Sequence, residues 1–280
     1  MLLRRFGKGT LNYAIISLFV VFSAFPFYWM LIATFKNSTD LYKPANNPFI
    51  YNLPPTTENL RLLFNQTNYP AFLVNTIIVG VVVVIITIIL AVPAAYSLAR
   101  LAGSWGERLG VGMFMVYLIP PTLLFIPMSR VVTLLGLRDS ILSQIVIYPT
   151  FTVPFCTWLL MGFMKSIPSD VEEQALVDGY SRLGAIWRVM FPLALPGILT
   201  IIVFTFTLTM HEFIYALAFV TASDQKVIST GVTTELIRGD VFFWQSIMAA
   251  GIIVAVPVAI IYNLFLDRFI AGFTLGAVKG

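Results

Sequence analysis

Six long apolar runs, at about 12–35, 71–99, 109–135, 140–164, 196–221 and 244–267, constrain this chain more than anything else in it. A helix needs roughly 20 apolar residues to cross the hydrocarbon of a bilayer, and each run reaches that length. In lipid, backbone N–H and C=O groups must be satisfied within the segment, so the runs are predicted helices. Hydrophobic residues make up 59% of the 280 and charged residues 11%, against roughly 25% charge in a soluble domain. A chain this apolar, with a mean hydropathy of +0.90, could not cover its surface with polar groups in water. The predicted fold class is all-α, a polytopic bundle of six transmembrane helices forming one domain over residues 1–280.

The net charge is +4, but the cations sit between the apolar runs and form no stripe, which excludes nucleic acid as a partner. An even number of spans puts both termini on one side. That side carries Arg4, Arg5, Lys8, Arg100, Arg108, Lys165, Arg182, Arg188, Arg268 and Lys279; the other carries Lys36, Lys43, Arg61, Arg130, Arg138, Lys226 and Arg238. The excess, and the three cations before the first run, place both termini in the cytoplasm. The first run is too long for a signal-peptide core and no small-x-small site follows it, so it is read as a retained span. The single cysteine, Cys156, lies inside an apolar run and is expected to be a buried thiol.

Prolines 26, 93, 120, 121, 127, 149, 154 and 257 fall within the runs. Each removes a backbone bond and kinks a helix, which suits spans that surround a cavity better than a plain anchor. Residues 36–70 form a Pro- and Asn-rich outer loop with one short helix expected around 59–64. No phosphate-binding Gly-x4-Gly-Lys-Ser/Thr, no His-Glu-x-x-His and no Gly-x-Ser-x-Gly occurs. The chain is therefore predicted to bind no ATP of its own, to hold no metal, to carry no cofactor and to do no covalent chemistry.

The cytoplasmic loop 165–195 is the most informative stretch. Ser169 and Glu172 have capping-box spacing, so a helix should begin near Asp170. Val171, Ala175 and Leu176 share a face, Asp170, Glu172, Glu173 and Asp178 make the rest acidic, and Gly179 is a natural stop. A second short helix should follow, with Leu183, Ile186, Trp187 and Met190 as its apolar stripe and Pro192 and Pro196 ending it. An acidic helix is poorly suited to lie on an anionic inner leaflet. The alternative is a docking knob, offering its acidic residues and a small Ala175–Gly179 surface to a cytoplasmic protein.

Glu173-Gln-Ala-x3-Gly179-x9-Val189-x-Phe-Pro192 resembles the EAA signature of ABC importer permeases, Glu-Ala-Ala-x3-Gly-x9-Ile-x-Leu-Pro. It departs at Gln174, Val189 and Phe191. Asp178-Gly179, the spacing Pro192-Leu-x-x-Pro196 and the closing Gly272-Phe-Thr-Leu-Gly-Ala-Val-Lys-Gly280 are similar to the carbohydrate branch of that family. The resemblance implies a type I importer permease of a bacterial or archaeal cytoplasmic membrane. It implies that Glu173, Gln174, Ala175, Asp178, Gly179 and Pro192 belong to a coupling element seated in a cytoplasmic ATPase subunit, and that Gly276, Val278, Lys279 and Gly280 reach toward the ATPase pair. A second six-span permease, two ATPase subunits carrying the ATP and Mg, and an extracytoplasmic sugar-binding protein would complete the machine.

His211 and Glu212 lie in the middle of the fifth run, where ionisable groups are costly and face a cavity or the protein interior. They read either as contacts to cargo or as an interhelical polar cluster, and Tyr215 and Asn75 are further candidates for the path. Tyr117 and Tyr148 could add aromatic faces of the kind sugar rings favour. An ion-coupled carrier would show inverted repeats with broken helices, which the sequence does not display. A membrane enzyme would need convergent His, Asp or Cys groups. A permease for polyamines, amino acids or phosphate remains the third rival.

Overall fold

The computed structural model describes the backbone of residues 2–277 and the side chains of residues 12–265. The elements in order are α1 (Leu2–Phe35), α2 (Ser38–Tyr42), α3 (Glu58–Asn65), α4 (Tyr69–Tyr96), α5 (Gly103–Tyr117), α6 (Pro121–Leu134), α7 (Leu142–Ile147) and α8 (Pro149–Ser166). Then come α9 (Ser169–Val177), α10 (Arg182–Ala185), α11 (Phe191–His211), α12 (Ile214–Phe219), α13 (Ile228–Leu236), a hairpin of β1 (Ile237–Arg238) and β2 (Val241–Phe242), and α14 (Trp244–Ala277). Five stretches among the described residues are long and apolar enough to span a membrane: Asn12–Phe35, Tyr69–Leu101, Leu142–Ser166, Arg182–His211 and Trp244–Phe265. A bent pair, α5 with α6, makes six if counted as one span.

Three departures from the sequence expectation have local causes. The third run is two helices meeting at 86°. Pro120, preceding Pro121, is held at φ −57° and ψ 127°, because a residue before proline is barred from helical ψ; Pro121 then starts α6, where its missing N–H costs nothing. The fifth span begins at Arg182, and Pro192 and Pro196 do not end it. A π turn over Ile186–Met190, in which Phe191 N–H reaches back to the Ile186 carbonyl, gives the Pro192 ring room that a tight α turn would deny. That span also stops early, at His211, and the chain restarts as α12 after an extended Glu212 (φ −65°, ψ 125°). Broken helices are therefore present where none was expected.

The chain divides into two compact units, 1–69 with 232–258, and 70–231 with 259–280. In the first, the loop after α1 is folded around a buried ion pair. Lys36 Nζ stands 3.6 Å from Asp40 Oδ2, and both side chains are fully buried. Asn46, Asn52 and the backbone N–H groups of Asn52 and Leu53 donate to the Asp40 carboxylate at 2.8–3.4 Å. Burial alone would raise the Asp40 pKa, but the hydrogen bonds from Asn52, Leu53 and Asn46 outweigh it and hold the group at about 2. The loop thus carries α2 as well as the expected short helix, α3. Asn59 closes the end of α1 by donating to the carbonyls of Thr34 and Lys36 at 2.8 and 2.9 Å.

The second unit is built on small residues that let helices approach. Ala91, Ala95, Cys156, Ala194 and Gly197 lie where α4, α8 and α11 meet, under Leu160, Phe163 and Ile201. Hydroxyls link the helices: Thr87 and Thr152 at 2.8 Å, Cys156 Sγ and Thr205 at 3.3 Å, in keeping with the use of small and polar groups between membrane helices. Cys156 is buried, as its apolar setting predicted. In the loop after α6, Asp139 accepts from the N–H and hydroxyl of Thr221 at 2.7 and 2.5 Å and from Ala222 N–H at 3.2 Å, which holds its carboxyl below the usual range.

Candidate functional site

The loop between α8 and α11 folds as expected in outline and differently in its fastening. Helix α9 runs from Ser169 to Val177, and Gly179 stops it at φ +90°, a backbone that an L side chain rarely adopts. No capping box forms. Pro168 holds the N-cap position, and the Ser169 hydroxyl points to Asp170 at 3.4 Å. Glu172 is drawn elsewhere: its carboxylate accepts from the Tyr96 hydroxyl at the end of α4 and stands 3.6 Å from the Arg100 guanidinium. Arg100 also donates to the Ile167 carbonyl at 2.6 Å. The start of α9 is therefore tied to the end of the second span. Sequence reading picked out Tyr96 as a residue that could line a path but missed Arg100 and the tie of both to Glu172, because nothing local marks two residues more than seventy positions away as its partners.

The remaining residues expected to couple fall on different surfaces. Glu173, Gln174, Asp178 and Gly179 are exposed, whereas Ala175 is buried at 3% and is no part of the surface. Its place at the tip is taken by Val177, 86% exposed, beside Leu176. The outward face is thus an apolar tip flanked by acids. Pro192 sits apart, exposed in the first turn of α11. The second-helix stripe also divides: Met190 is buried, but Leu183 and Trp187 are largely exposed, lining an apolar groove of about 550 Å³ with Pro93, Tyr96 and Met164. Of the tail candidates, Gly276 falls within α14, while Val278, Lys279 and Gly280 lie outside the described residues.

Of the four path candidates, Glu212 and Tyr215 come together, and His211 and Asn75 stand apart. Glu212 occupies the break between α11 and α12. Its carboxylate accepts from the N–H groups of Tyr215 and Ala216 at 2.9 and 3.0 Å, and so caps α12. The hydroxyl of Tyr148, a fully buried residue, donates to the same carboxylate at 2.8 Å. Tyr215, itself buried, donates to the Pro121 carbonyl at 2.5 Å, where the third span is broken. The two breaks are thereby laced together by one acid and two tyrosines. His211 is exposed and takes no part. Asn75 donates to the carbonyls of Asp224 and Lys226 at 2.8 and 3.0 Å and so holds the loop that follows α12. Among the described residues no group of His, Cys, Asp and Glu could hold a metal ion.

Residues 91–274 match the family described as "Binding-protein-dependent transport system inner membrane component". The chain is 31% identical over 276 residues to the sulfoquinovosyl glycerol transport system permease protein SmoH of Agrobacterium fabrum, covering 98% of this chain and 95% of that one. It is 29% identical over 269 residues to the trehalose/maltose transport system permease protein MalG of Thermococcus litoralis, covering 94% of each. In three dimensions it is similar to a chain of a bacterial ABC transporter involved in the import of the acidic polysaccharide alginate. That likeness has a TM-score of 0.79 at 18% identity and covers 94% of this chain and 96% of that one.

Proposed function

Because this chain belongs to the binding-protein-dependent transport system inner membrane components, we propose that it forms half of a carbohydrate translocation pathway driven by ATP hydrolysis on a separate subunit. It is a multi-pass inner-membrane permease, a channel subunit rather than a catalytic one. The relatives' cargoes, sulfoquinovosyl glycerol and trehalose or maltose, support a sugar or substituted sugar here. The partners of this reading are a second six-span permease, two cytoplasmic ATPase subunits that carry the ATP and Mg, and an extracytoplasmic sugar-binding protein. Both termini lie in the cytoplasm, and the chain itself binds no cofactor.

The observation that carries the reading is α9. Its tip exposes Val177 between Glu173 and Asp178, and its base is tied through Glu172 to Tyr96 and Arg100 of the second span. Closure of an ATPase groove around the tip would pull on the spans through that link. The two broken spans would also suit an ion-coupled carrier, but a carrier has no use for an exposed acidic knob. The test is a single cysteine at Val177 in a Cys156→Ala background. In membranes holding the assembled complex it should cross-link to the ATPase subunit, and the yield should change when ATP is added. A cysteine at 177 that cross-links to nothing, while uptake proceeds normally, would refute the docking.

A further inference from the structure

Five aromatic side chains of the second unit stand together at mid-depth, Tyr117 among them. Phe114 and Trp158 stack with centroids 4.3 Å apart, Phe155 and Phe204 at 4.2 Å, and Tyr117 lies 4.7 Å from Phe155. All five are half-buried, so the cluster is a wall with one open face and not a core. Its depth follows from the helix rise of about 1.5 Å per residue. Phe155 and Trp158 lie within about 6 Å of the centre of the span Leu142–Ser166.

Two independent features say that this face does not meet lipid. The first is polar: neither the Trp158 indole N–H nor the Tyr117 hydroxyl has a hydrogen-bond partner among the described residues. Tryptophan and tyrosine ordinarily sit at the membrane interface, where such donors reach water or headgroups; at mid-depth against hydrocarbon, each unmet donor is costly. The second is the backbone. Tyr117 is the last residue of α5, and Leu118, Ile119 and Pro120, at the 86° break, are exposed. Irregular backbone at membrane depth persists only where protein buries it or where it lines an aqueous cavity.

The geometry points to a carbohydrate-stacking wall formed by Phe114, Tyr117, Phe155, Trp158 and Phe204 on the pathway side of this chain. Sugar rings offer apolar C–H faces to aromatic planes and hydroxyls to free donors and acceptors, and this wall supplies both. The inference rests on the carbohydrate reading above and goes beyond it, by giving this permease half its own contact with the cargo.

The test uses the assembled importer in its membrane, with trehalose and maltose as probes. In a Cys156→Ala background, Trp158→Cys should react with a charged, membrane-impermeant thiol reagent. Either sugar, if transported, should slow that reaction about threefold when present at roughly twice its dissociation constant. Should Trp158→Cys fail to assemble, Phe204→Cys carries the same test. Reaction with a lipid-soluble reagent alone would make the face lipid-exposed, and no reaction with either reagent would make it a contact with the second permease; both overturn the wall. A second arm compares Trp158→Phe, which keeps a ring face, with Trp158→Leu, which keeps only apolar bulk. Sugar moved per ATP hydrolysed should stay within about twofold for Phe and fall about tenfold for Leu. Equal uptake by the two would overturn the wall and leave the functional reading standing. An importer whose ATPase moves no carbohydrate at all would overturn both.

Discussion

Glu212→Ala removes the acceptor of three hydrogen bonds at once. Two are the backbone N–H groups that open α12, and the third is the hydroxyl of Tyr148. A side-chain cap on a helix N-terminus contributes about 1 kcal/mol. Glu212 is partly exposed, so water can refill some of that loss. The Tyr148 hydroxyl belongs to a fully buried residue, and an orphaned buried donor costs about 1–3 kcal/mol. The sum is a loss of roughly 3 kcal/mol for Glu212→Ala. Glu212→Gln keeps one acceptor oxygen, and its amide can donate to the Tyr148 oxygen, so it should cost only about 1 kcal/mol and retain most uptake. The assay is denaturant unfolding of the purified chain in mixed micelles, alongside folded protein and uptake in membranes. A double-mutant cycle isolates the contact, since Tyr148→Phe should cost nothing further once Glu212 is Ala. Additive losses would show that the two side chains do not act together. A Gln variant that folds normally but no longer transports would make Glu212 a contact of cargo or gate and not a brace.

Gly106→Ala should lower the thermal midpoint of the folded chain, because its Cβ would stand 2.0 Å from the Leu98 carbonyl oxygen, an overpacking that costs about 1–3 kcal/mol; Gly112→Ala, on the same helix with nothing within 4 Å, should be neutral or stabilising. Gly179→Trp forces a side chain into φ +90°, at about 1–2 kcal/mol, and puts bulk beside the docking tip, so ATP hydrolysis should continue while uptake falls; normal uptake would sink the coupling role of this turn. Asp40 has a folded pKa of about 2 against an ordinary 3.8. Its contribution to the outer loop is therefore complete above the ordinary value and is lost as the pH falls through about 2. Protease nicking of residues 36–57 should rise across that window, and in Asp40→Asn it should be high already at neutral pH.

The spans and the acidic helix could be read from the sequence because their signals are local. Hydropathy reports spans wherever a run exceeds the bilayer, and Gly179 marks a helix stop by itself. The break at Glu212 could not be read this way. The run 196–221 holds no Asp, Glu, Lys, Arg or His besides His211 and Glu212, and hydropathy does not distinguish an acid buried in a helix from one that caps a new helix. The twin prolines at 120 and 121 did carry the other break, but as a kink; the 86° bend follows from the extended ψ that Pro121 imposes on Pro120. The capping box at Ser169 failed for a different reason. A local hydrogen bond lost to a distant pair, since Tyr96 and Arg100 offer Glu172 a hydroxyl and a cation together. Pairing within the loop 36–70 escaped for want of any periodic pattern: Asp40, paired with Lys36, draws in Asn52 from 12 residues on.

The central claim is that this chain is half of a carbohydrate pathway powered by ATP on another subunit. It is tested most directly by rebuilding the transporter in vesicles from this chain, its companion permease, the ATPase and the binding protein. Labelled trehalose or maltose would be supplied outside, and ATP would be enclosed or left out. The account predicts that sugar accumulates only with enclosed ATP, that an ionophore collapsing ion gradients leaves uptake intact, and that omitting this chain abolishes it. Uptake that proceeds without ATP and stops with the ionophore would contradict the account.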